Sequence, residues 1–309
     1  MTMVNVVDSR QQNGGDEMFG GIEAGGTKWI CALADSHGKL VETTTFPTSS
    51  PAATLGAAIA FFQERGPVDA LGVVAFGPVD LRRDSATYGH ITSTPKPGWR
   101  DTDVLSPLAR ALRVPIGFDT DVNGAALGEW CAVAERRPST LAYVTVGTGV
   151  GAGVVVGGVP LHGLLHPEFG HVRIPHDHVR DPFTGSCPFH GDCLEGLASG
   201  VALEARWGER PAEIHESRAW DLEAEYLALG LMNLICVLSP QQIVLGGGVS
   251  KHAGLLEATR QRLCGLASGY FQAAELLTAS GVAAYVTAPR LGDYSGVSGA
   301  IELARGAAG

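Results

Sequence analysis

The sequence is poor in positive charge. Lys and Arg number 22 against 32 Asp and Glu, which gives a net charge of −10 over 309 residues. No run of Lys or Arg is present, so the chain lacks the basic face that neutralises nucleic-acid phosphates. Charged residues make up 17% and hydrophobic residues 45% of the chain. This balance is typical of a soluble globular protein that does not bind nucleic acid.

Long apolar segments are also missing, and no stretch is apolar over the roughly 20 residues that cross a bilayer. The start, MTMVNVVDSRQQNGGDE, has no basic region followed by an apolar one, so it is not typical of a secretory signal. We expect residues 1–17 to form a flexible tail. Four cysteines are predicted to be core residues without disulfides, as in a cytoplasmic protein: Cys31, Cys131, Cys236 and Cys264.

The two other cysteines belong to a pattern that is typical of zinc sites. His171, Cys187, His190 and Cys193 follow each other as H-x15-C-x2-H-x2-C. Two imidazoles and two thiolates make a complete tetrahedral set for a structural zinc ion, whereas calcium or magnesium would need oxygen ligands. The spacing alone does not select His171 as the first ligand, because the same segment contains His166, His176 and His178.

A glycine-rich hairpin occurs once in each half of the chain. The strand FGGIEA is followed by Gly25-Gly26-Thr27-Lys28 and a second strand, and LAYVTV is followed by Gly147-Thr148-Gly149 and a second strand. Each half also has a buried strand that ends in glycine, ALGVVAFG and QQIVLGGG. The second of these strands is expected to lead into a helix from Ser250, and another helix is expected from about Leu194 to Arg206. This repeat predicts two similar α/β domains that face a cleft lined by glycine loops. Such loops can direct backbone N–H groups and Thr hydroxyls toward phosphates, with Mg²⁺ offsetting the charge.

Carboxylates lie where a predicted strand meets a predicted helix. Asp119 and Asp121 occupy this position in DTDVN, and either is a candidate base for the attacking hydroxyl in phosphoryl transfer or a helix cap. The spacing does not distinguish them. Further polar side chains suited to binding sugar hydroxyls are Asn123, Glu168, His171 and Glu195.

Several motifs together resemble those of a known family. GIEAGGTKW, FDTDVNGAALGEW, VTVGTGVGAGVVV, HPEFGH, CPFHGDCLEG and IVLGGGV are similar to the motifs of the ROK sugar kinases, in particular the fructokinase (mannofructokinase) branch. The matches run from Phe19 to Val249. His190, in place of a third cysteine, and Glu23-Ala24 ahead of the glycines depart from the broad family and resemble the fructokinase branch.

The resemblance implies an actin-like, hexokinase-like (ribonuclease H-like) duplicated fold with ATP and a sugar bound in the cleft, usually as a homodimer. We therefore expect an N-terminal α/β domain from residues 18–122 together with 295–309. The C-terminal α/β domain is expected to span residues 123–294 and to carry the zinc loop at residues 166–196.

The resemblance also assigns roles to residues of this chain. It implies that Asp121 is the catalytic base. The sugar would be bound by Asn123, Asp121, Glu168, His171 and Glu195, and zinc by His171, Cys187, His190 and Cys193. His171 would hold zinc through one ring nitrogen and face the sugar with the other. The nucleotide would lie on Gly25, Gly26, Thr27, Lys28, Gly147, Thr148, Gly149, Gly246, Gly247 and Gly248.

The function that follows is ATP-dependent phosphorylation of D-fructose to fructose 6-phosphate, with Mg²⁺ bound to ATP. A glucokinase, mannokinase or N-acetylhexosamine kinase on the same scaffold is the alternative. A sugar-responsive transcriptional regulator is a third hypothesis. Such proteins carry a helix-turn-helix module ahead of the kinase-like part, and the 18 residues before Phe19 are too few for one.

Overall fold

The computed structural model describes residues 17–309, so the tail predicted for residues 1–17 lies outside the described residues except for Glu17. The strands are β1 Phe19–Ala24, β2 Lys28–Ala34, β3 Leu40–Pro47, β4 Ala70–Ala75, β5 His90–Ile91, β6 Thr102–Asp103, β7 Ile116–Thr120, β8 Thr140–Val146, β9 Val150–Val156, β10 Val159–Pro160, β11 Gln242–Gly246 and β12 Val286–Thr287. The helices are α1 Pro51–Arg65, α2 Leu105–Leu112, α3 Asp121–Cys131, α4 Leu194–Ala198, α5 Gly200–Trp207, α6 Ser217–Leu238, α7 Leu255–Ala267, α8 Ala274–Leu277, α9 Ala279–Tyr285 and α10 Ser295–Ala308. Among residues 17–309, none of the helices is long and apolar enough to cross a membrane.

Two five-stranded sheets share one topology. The first has the order β3-β2-β1-β4-β7, in which β1–β3 pair antiparallel while β4 and β7 are parallel to β1. The second has the order β10-β9-β8-β11-β12, with the same antiparallel part followed by two parallel strands. The repeat predicted from the two glycine hairpins is therefore confirmed at the level of strand order.

Each sheet has its own apolar core. Trp29, Phe62 and Leu71 are almost completely buried in the core against the first sheet. Leu227 of α6 and Leu245 of β11 are equally buried in the core against the second. Burying a side chain of this size contributes about 2 kcal/mol relative to leaving it exposed. The two cores hold each half rigid enough to present its loops in fixed positions.

Helices α3 and α10 join the two halves through a glycine contact. A Cβ atom on Gly299 would lie 1.8 Å from the carbonyl oxygen of Gly124, and one on Gly128 would lie 2.3 Å from that of Ser295. Any larger residue at these positions would push the helices apart, because packed backbones cannot accommodate such overlap. Helix α3 also contacts β8 and β9, and α10 contacts β1 and β4. The division at residues 122 and 295 stays a prediction, but these helices clearly connect the two sheets.

Three sequence expectations need correction. The helix predicted from Leu194 to Arg206 is interrupted at Ser199, where Gly200 N donates to the carbonyl of Gly147 at 2.7 Å and the Ser199 hydroxyl caps α5. The helix predicted from Ser250 is instead a 3-10 turn, and α7 begins at Leu255. Of the four cysteines predicted to be core residues, only Cys31 is buried and Cys236 is exposed.

The α3–α10 junction also depends on a buried carboxylate. Glu129 is fully buried and accepts hydrogen bonds from Arg290 N at 2.9 Å, Leu291 N at 3.0 Å and the Ser295 hydroxyl at 2.7 Å. Its carboxyl oxygens are therefore satisfied by backbone and hydroxyl donors at the amino end of α10.

We expect Glu129→Ala to lower the free energy of unfolding by about 3 kcal/mol or more, because three donors to a charged group lose their acceptor. Chemical denaturation measures this change. Glu135→Ala is the matched control, since Glu135 is exposed just beyond the same helix. Equal stability of the two variants would contradict the anchoring role of Glu129.

Candidate active site and metal cluster

A cleft of about 1010 Å³ lies between the two halves. Both glycine hairpins contribute to its wall, as do the ends of β11 and α10. Of the residues predicted to bind nucleotide or sugar, the following line it: Thr27, Lys28, Asp121, Gly147, Thr148, Gly246, Gly247 and Gly248. The volume is sufficient for a ligand of nucleotide size.

The two hairpin turns are held by their own backbones. Gly25 N donates to the carbonyl of Lys28 at 3.0 Å, and Gly147 N donates to that of Gly149 at 2.9 Å. A Cβ on Gly25 would lie 2.6 Å from the Lys28 carbonyl, so this turn requires glycine. The turns leave Thr27, Lys28 and Thr148 exposed to the cleft. One cation and two hydroxyls therefore face the same space from opposite sides.

The structure distinguishes the two aspartates that sequence spacing could not. Asp119 is buried, and its carboxylate is occupied by Thr120 N at 2.7 Å, Asn123 Nδ2 at 2.8 Å and His162 Nε2 at 2.9 Å. Asp121 lines the cleft and accepts only from Val122 N, at 2.9 Å, among the hydrogen bonds of the described residues. Neither side chain caps α3, since the Thr120 hydroxyl accepts from Asn123 N. Asp121 is thus the carboxylate available to a ligand.

Burial changes the proton affinity of Asp121. It raises the pKa of this carboxyl from 3.8 to about 6, against the lowering effect of backbone hydrogen bonds. A carboxylate with a pKa near 6 is mostly ionised at neutral pH and is a stronger base than an ordinary aspartate. Asp121 is therefore suited to accept a proton from a bound hydroxyl group.

Asn123 does not reach the cleft, contrary to its expected contact with sugar. Its side chain is completely buried, donates through Nδ2 to Asp119 and accepts through Oδ1 from Val154 N at 3.3 Å. The physical reason is helical periodicity, because a residue two positions after Asp121 points to a different side of α3. Asn123 instead connects β9 to the strand end that carries Asp119.

Glu168 and Glu195 do not line this cleft, but Glu168 lies near both Glu195 and Asp121. Burial, followed by the nearby charges of Glu195 and Asp121, raises the pKa of Glu168 to about 7. Glu195 accepts from Val150 N at 3.1 Å, and a Cβ on Gly149 would lie 2.5 Å from its Oε2 atom. The roles of these three carboxylates in binding sugar stay predictions. Such acceptors suit a ligand with several hydroxyl groups.

Glu23 is a cleft residue that sequence reasoning did not select. It ends β1 and accepts from Val297 N of α10 at 2.9 Å. Burial and, after it, the charge of Asp121 raise its pKa to about 7, although the Val297 N–H group and Lys28 act in the opposite direction. A signal was present in the sequence, because Glu23 is an acidic residue near the end of an otherwise apolar strand. Glu23 and Asp121 together form a pair of carboxylates facing the cleft.

The predicted zinc ligands form one cluster. One ligand atom from each of His171, Cys187, His190 and Cys193 lies within 4.8 Å of the others. His171 Nδ1 is 3.7 Å from Cys187 Sγ and 3.6 Å from Cys193 Sγ, and His190 Nδ1 is 3.7 Å from Cys187 Sγ. Sulfur and nitrogen ligands at ordinary zinc distances in a tetrahedron are about 3.6 Å apart. The cluster therefore has the size and chemistry of a zinc site.

The structure also settles which histidine is the first member of this cluster. His166 accepts from Val79 N at 3.2 Å and lies 3.4 Å from Glu168, away from the thiols. His176 and His178 group with Asp192 instead. His171 directs Nδ1 to the thiols, which leaves Nε2 on the opposite edge of the ring.

Comparison with known proteins agrees with the geometry. Residues 19–307 match the ROK family. The chain belongs to the ROK family. A fructokinase of Zymomonas mobilis is 43% identical to it over 299 residues, covering 93% of this chain and 96% of the relative. A putative fructokinase of Bacillus subtilis is 42% identical over 288 residues, covering 93% and 95%.

Solved ROK structures share the fold. The ROK hexokinase from Thermus thermophilus superimposes with a TM-score of 0.74 at 28% identity, covering 93% of this chain and 97% of that one. A ROK family glucokinase from Streptomyces griseus, in complex with glucose and AMPPNP, gives a TM-score of 0.72 at 25% identity over 94% of this chain and all of that one. The hexokinase-like fold expected from the motifs is therefore confirmed.

The raised pKa of Glu23 predicts a specific pH effect on stability. The Glu23 carboxyl has a pKa of about 7 in the folded state, against an ordinary value of 4.5. Above a pH of about 4.5 it therefore binds more protons in the folded state than in the unfolded state. Its contribution to stability is therefore present below that value and is lost as the pH rises through about 7. Glu23→Gln cannot titrate, so its free energy of unfolding relative to wild type should increase between about pH 5 and about pH 7.5.

Denaturation without metal or substrate at several pH values measures this difference. Glu64→Gln is the control, because the Glu64 side chain is 72% exposed and its difference from wild type should stay flat. A flat profile for Glu23→Gln as well would show that the cleft does not perturb Glu23.

Proposed function

We propose that this ROK protein is an ATP-dependent kinase that converts D-fructose to fructose 6-phosphate. The observation that carries the proposal is the position of Asp121, an available carboxylate with a raised pKa that faces a cleft between two glycine hairpins. Support for fructose comes from the relatives named fructokinase, at 42% and 43% identity over nearly the whole chain. The bound AMPPNP of the Streptomyces griseus glucokinase supports ATP as the donor.

The proposed reaction begins with the terminal hydroxyl of the sugar beside Asp121. The carboxylate accepts the hydroxyl proton as the oxygen attacks the γ-phosphorus of ATP and the bond to ADP breaks. Glu168, Glu195 and the free Nε2 edge of His171 would accept or donate hydrogen bonds to the other sugar hydroxyls. These contacts orient the terminal oxygen for attack, which is the main contribution of an enzyme to phosphoryl transfer.

The phosphates would lie between the hairpins. Backbone N–H groups and the hydroxyls of Thr27 and Thr148 can donate to phosphate oxygens from both sides, and Lys28 supplies one positive charge. The nucleoside would lie on Gly246, Gly247 and Gly248. Gly247 has φ of +93°, and a Cβ there would lie 2.3 Å from the Val146 carbonyl oxygen. Glycine at this position therefore lets the chain after β11 lie close to the end of β8.

Mg²⁺ fits the same site. Glu23 and Asp121 are two partly buried carboxylates with raised pKa values, and a divalent cation would offset their mutual repulsion. Glu23 would supply an oxygen ligand of the kind that Mg²⁺ binds together with water and phosphate, and Asp121 would remain free to act as the base. When bound, Mg²⁺ would neutralise charge on the transferred phosphate.

Zinc is the metal proposed for the cluster of His171, Cys187, His190 and Cys193. Four protein ligands leave no open position, so the role is structural. The cluster joins the 3-10 turn at His171 to the start of α4, which carries Glu195. Zinc would thus fix two of the proposed sugar-binding residues relative to each other.

A homodimer completes the proposal. Val179, Phe189 and Val237 are apolar side chains exposed at 96%, 61% and 81%, respectively. Large exposed apolar side chains are typical of surfaces that a partner covers, and a second copy of the chain would cover them here.

Asp121→Asn tests the proposed reaction. We expect kcat with fructose and ATP to fall by about 10²-fold or more, because amide cannot accept the proton, while fructose binding is retained. For the wild type, kcat/KM should fall as the pH decreases below about 6, where the carboxyl becomes protonated. An assay coupled to ADP release, run over fructose, glucose, mannose and N-acetylhexosamines, measures both effects and the sugar preference.

Asp84→Asn, at an exposed carboxylate, is the control and should keep wild-type turnover. Turnover of Asp121→Asn close to wild type would rule out Asp121 as the base. A wild type that prefers glucose or mannose over fructose would contradict the proposed substrate while leaving the kinase reaction intact.

Two single cysteine variants, one at a proposed zinc ligand and one elsewhere, test the zinc proposal. Cys187→Ala should lose one equivalent of zinc per chain and unfold at lower temperature, because the tetrahedral set loses a thiolate. Elemental analysis and thermal denaturation measure the two effects. Cys236→Ala is the control, since Cys236 is an exposed free cysteine, and its zinc content should equal wild type. Equal zinc in both variants would show that Cys187 is not a ligand.

A further inference from the structure

The loop that carries the zinc ligands holds a second group of metal-binding side chains. One ligand atom each from His176, His178 and Asp192 lies within 4.8 Å of the other two. The His176 side chain is only 3% exposed, whereas that of His178 is 63% exposed. The group therefore has a buried side fixed in the protein and an open side that faces solvent.

Hydrogen-bond direction fixes the orientation of the His176 ring. Its Nε2 atom lies 3.0 Å from the backbone carbonyl of Asp181, which can only accept, so Nε2 is the donor. The lone pair of the neutral ring is then on Nδ1, which points at Asp192 Oδ2 at 3.3 Å. A lone pair facing a carboxylate oxygen is unfavourable, so either Nδ1 also carries a proton or a cation lies between the two atoms. A histidine that donates one N–H to a backbone carbonyl while its other nitrogen binds metal is a recurring arrangement.

The distance between His176 and Asp192 also matches a metal polyhedron. Nitrogen and oxygen ligands at ordinary zinc distances in a tetrahedron are about 3.3 Å apart. His176 Nδ1 and Asp192 Oδ2 are separated by 3.3 Å, and His178 Nε2 is 3.8 Å from the same oxygen. Charge-assisted hydrogen bonds between nitrogen and carboxylate oxygen are shorter, at about 2.8 Å.

The surroundings hold the buried part of this group in place. The Asp181 carboxylate accepts from the Tyr226 hydroxyl at 2.6 Å and lies 3.3 Å from Arg206 Nη2, which fixes the backbone carbonyl that receives His176. Arg173 pairs with the other carboxylate oxygen of Asp192. His176 and Asp192, two of the three potential ligands, are therefore each held in orientation by another protein group, as is usual for metal ligands.

We propose that His176, His178 and Asp192 form a second metal site, which takes a divalent transition metal such as Zn²⁺ or Co²⁺. Two imidazoles and one carboxylate select these metals over Mg²⁺ and Ca²⁺, and solvent completes the coordination on the His178 side. The site is separate from the thiolate cluster, although Asp192 precedes Cys193 in the chain. It closes residues 176–178 onto residue 192 and so gives the long loop a second cross-link.

Cobalt binding to the full-length protein tests the proposal. Co²⁺ bound by thiolates gives a strong near-ultraviolet charge-transfer band, whereas an imidazole and carboxylate site gives only weak visible bands. Wild type with one zinc per chain, titrated with Co²⁺, should bind one equivalent more than His178→Ala prepared in the same way, and the extra equivalent should add no thiolate band. His178 is exposed, so its replacement leaves the packing of the loop in place.

His37→Ala is the matched control, since His37 is exposed in the turn between β2 and β3, and it should bind as many equivalents as the wild type. Equal Co²⁺ stoichiometry in wild type and His178→Ala would overturn the proposal, and His176 would then be a charged imidazolium paired with Asp192. The same result would not affect the thiolate cluster or the kinase reaction, because each has a separate measurement.

Discussion

The close contact between α3 and α10 is the constraint on which the cleft depends. Gly124 and Gly128 of α3 face Gly299 and Ser295 of α10, and the backbones approach so closely that a single added Cβ would collide with a carbonyl. Because each helix also contacts the sheets, this contact sets the distance between the two halves. Glu129 reinforces it by accepting three hydrogen bonds at the amino end of α10. Asp121 is the first residue of α3, so the same contact positions it in the cleft.

Three carboxylates in the cleft wall or beside it are made more basic by burial. Glu23 and Glu168 have pKa values raised to about 7, and Asp121 to about 6. Desolvation is the main cause of each raised pKa, and for Glu23 and Glu168 the negative charge of Asp121 raises the pKa as well. Such a site favours ligands that donate hydrogen bonds or carry positive charge, which describes sugar hydroxyls and a divalent cation. It disfavours a bare polyphosphate, so cation and nucleotide are expected to bind together.

The irregular loop between β10 and α4 has little regular hydrogen bonding to hold it. Its fixed points are side-chain clusters: the two histidines and two cysteines at one place, and His176 with Asp192 and Asp181 at another. Loops of this length without secondary structure are uncommon unless they serve a function. Here the loop carries His171 and also Glu168, which lies near Asp121, and cross-links by metal would limit the conformations in which it presents them.

Short sequence patterns were sufficient to predict much of the fold and of the candidate sites. The sequence determined the strand and helix alternation, the duplicated hairpins, the zinc-type spacing and the ROK motifs, because each depends on residues close together in the chain. It could not distinguish Asp119 from Asp121, and it assigned Asn123 to the sugar although that side chain is buried against Asp119 and Val154. It also passed over Glu23 and predicted a continuous helix through Ser199. These points were decided only by tertiary structure, since burial, the Gly200–Gly147 hydrogen bond and the proximity of carboxylates arise from segments that are far apart in sequence.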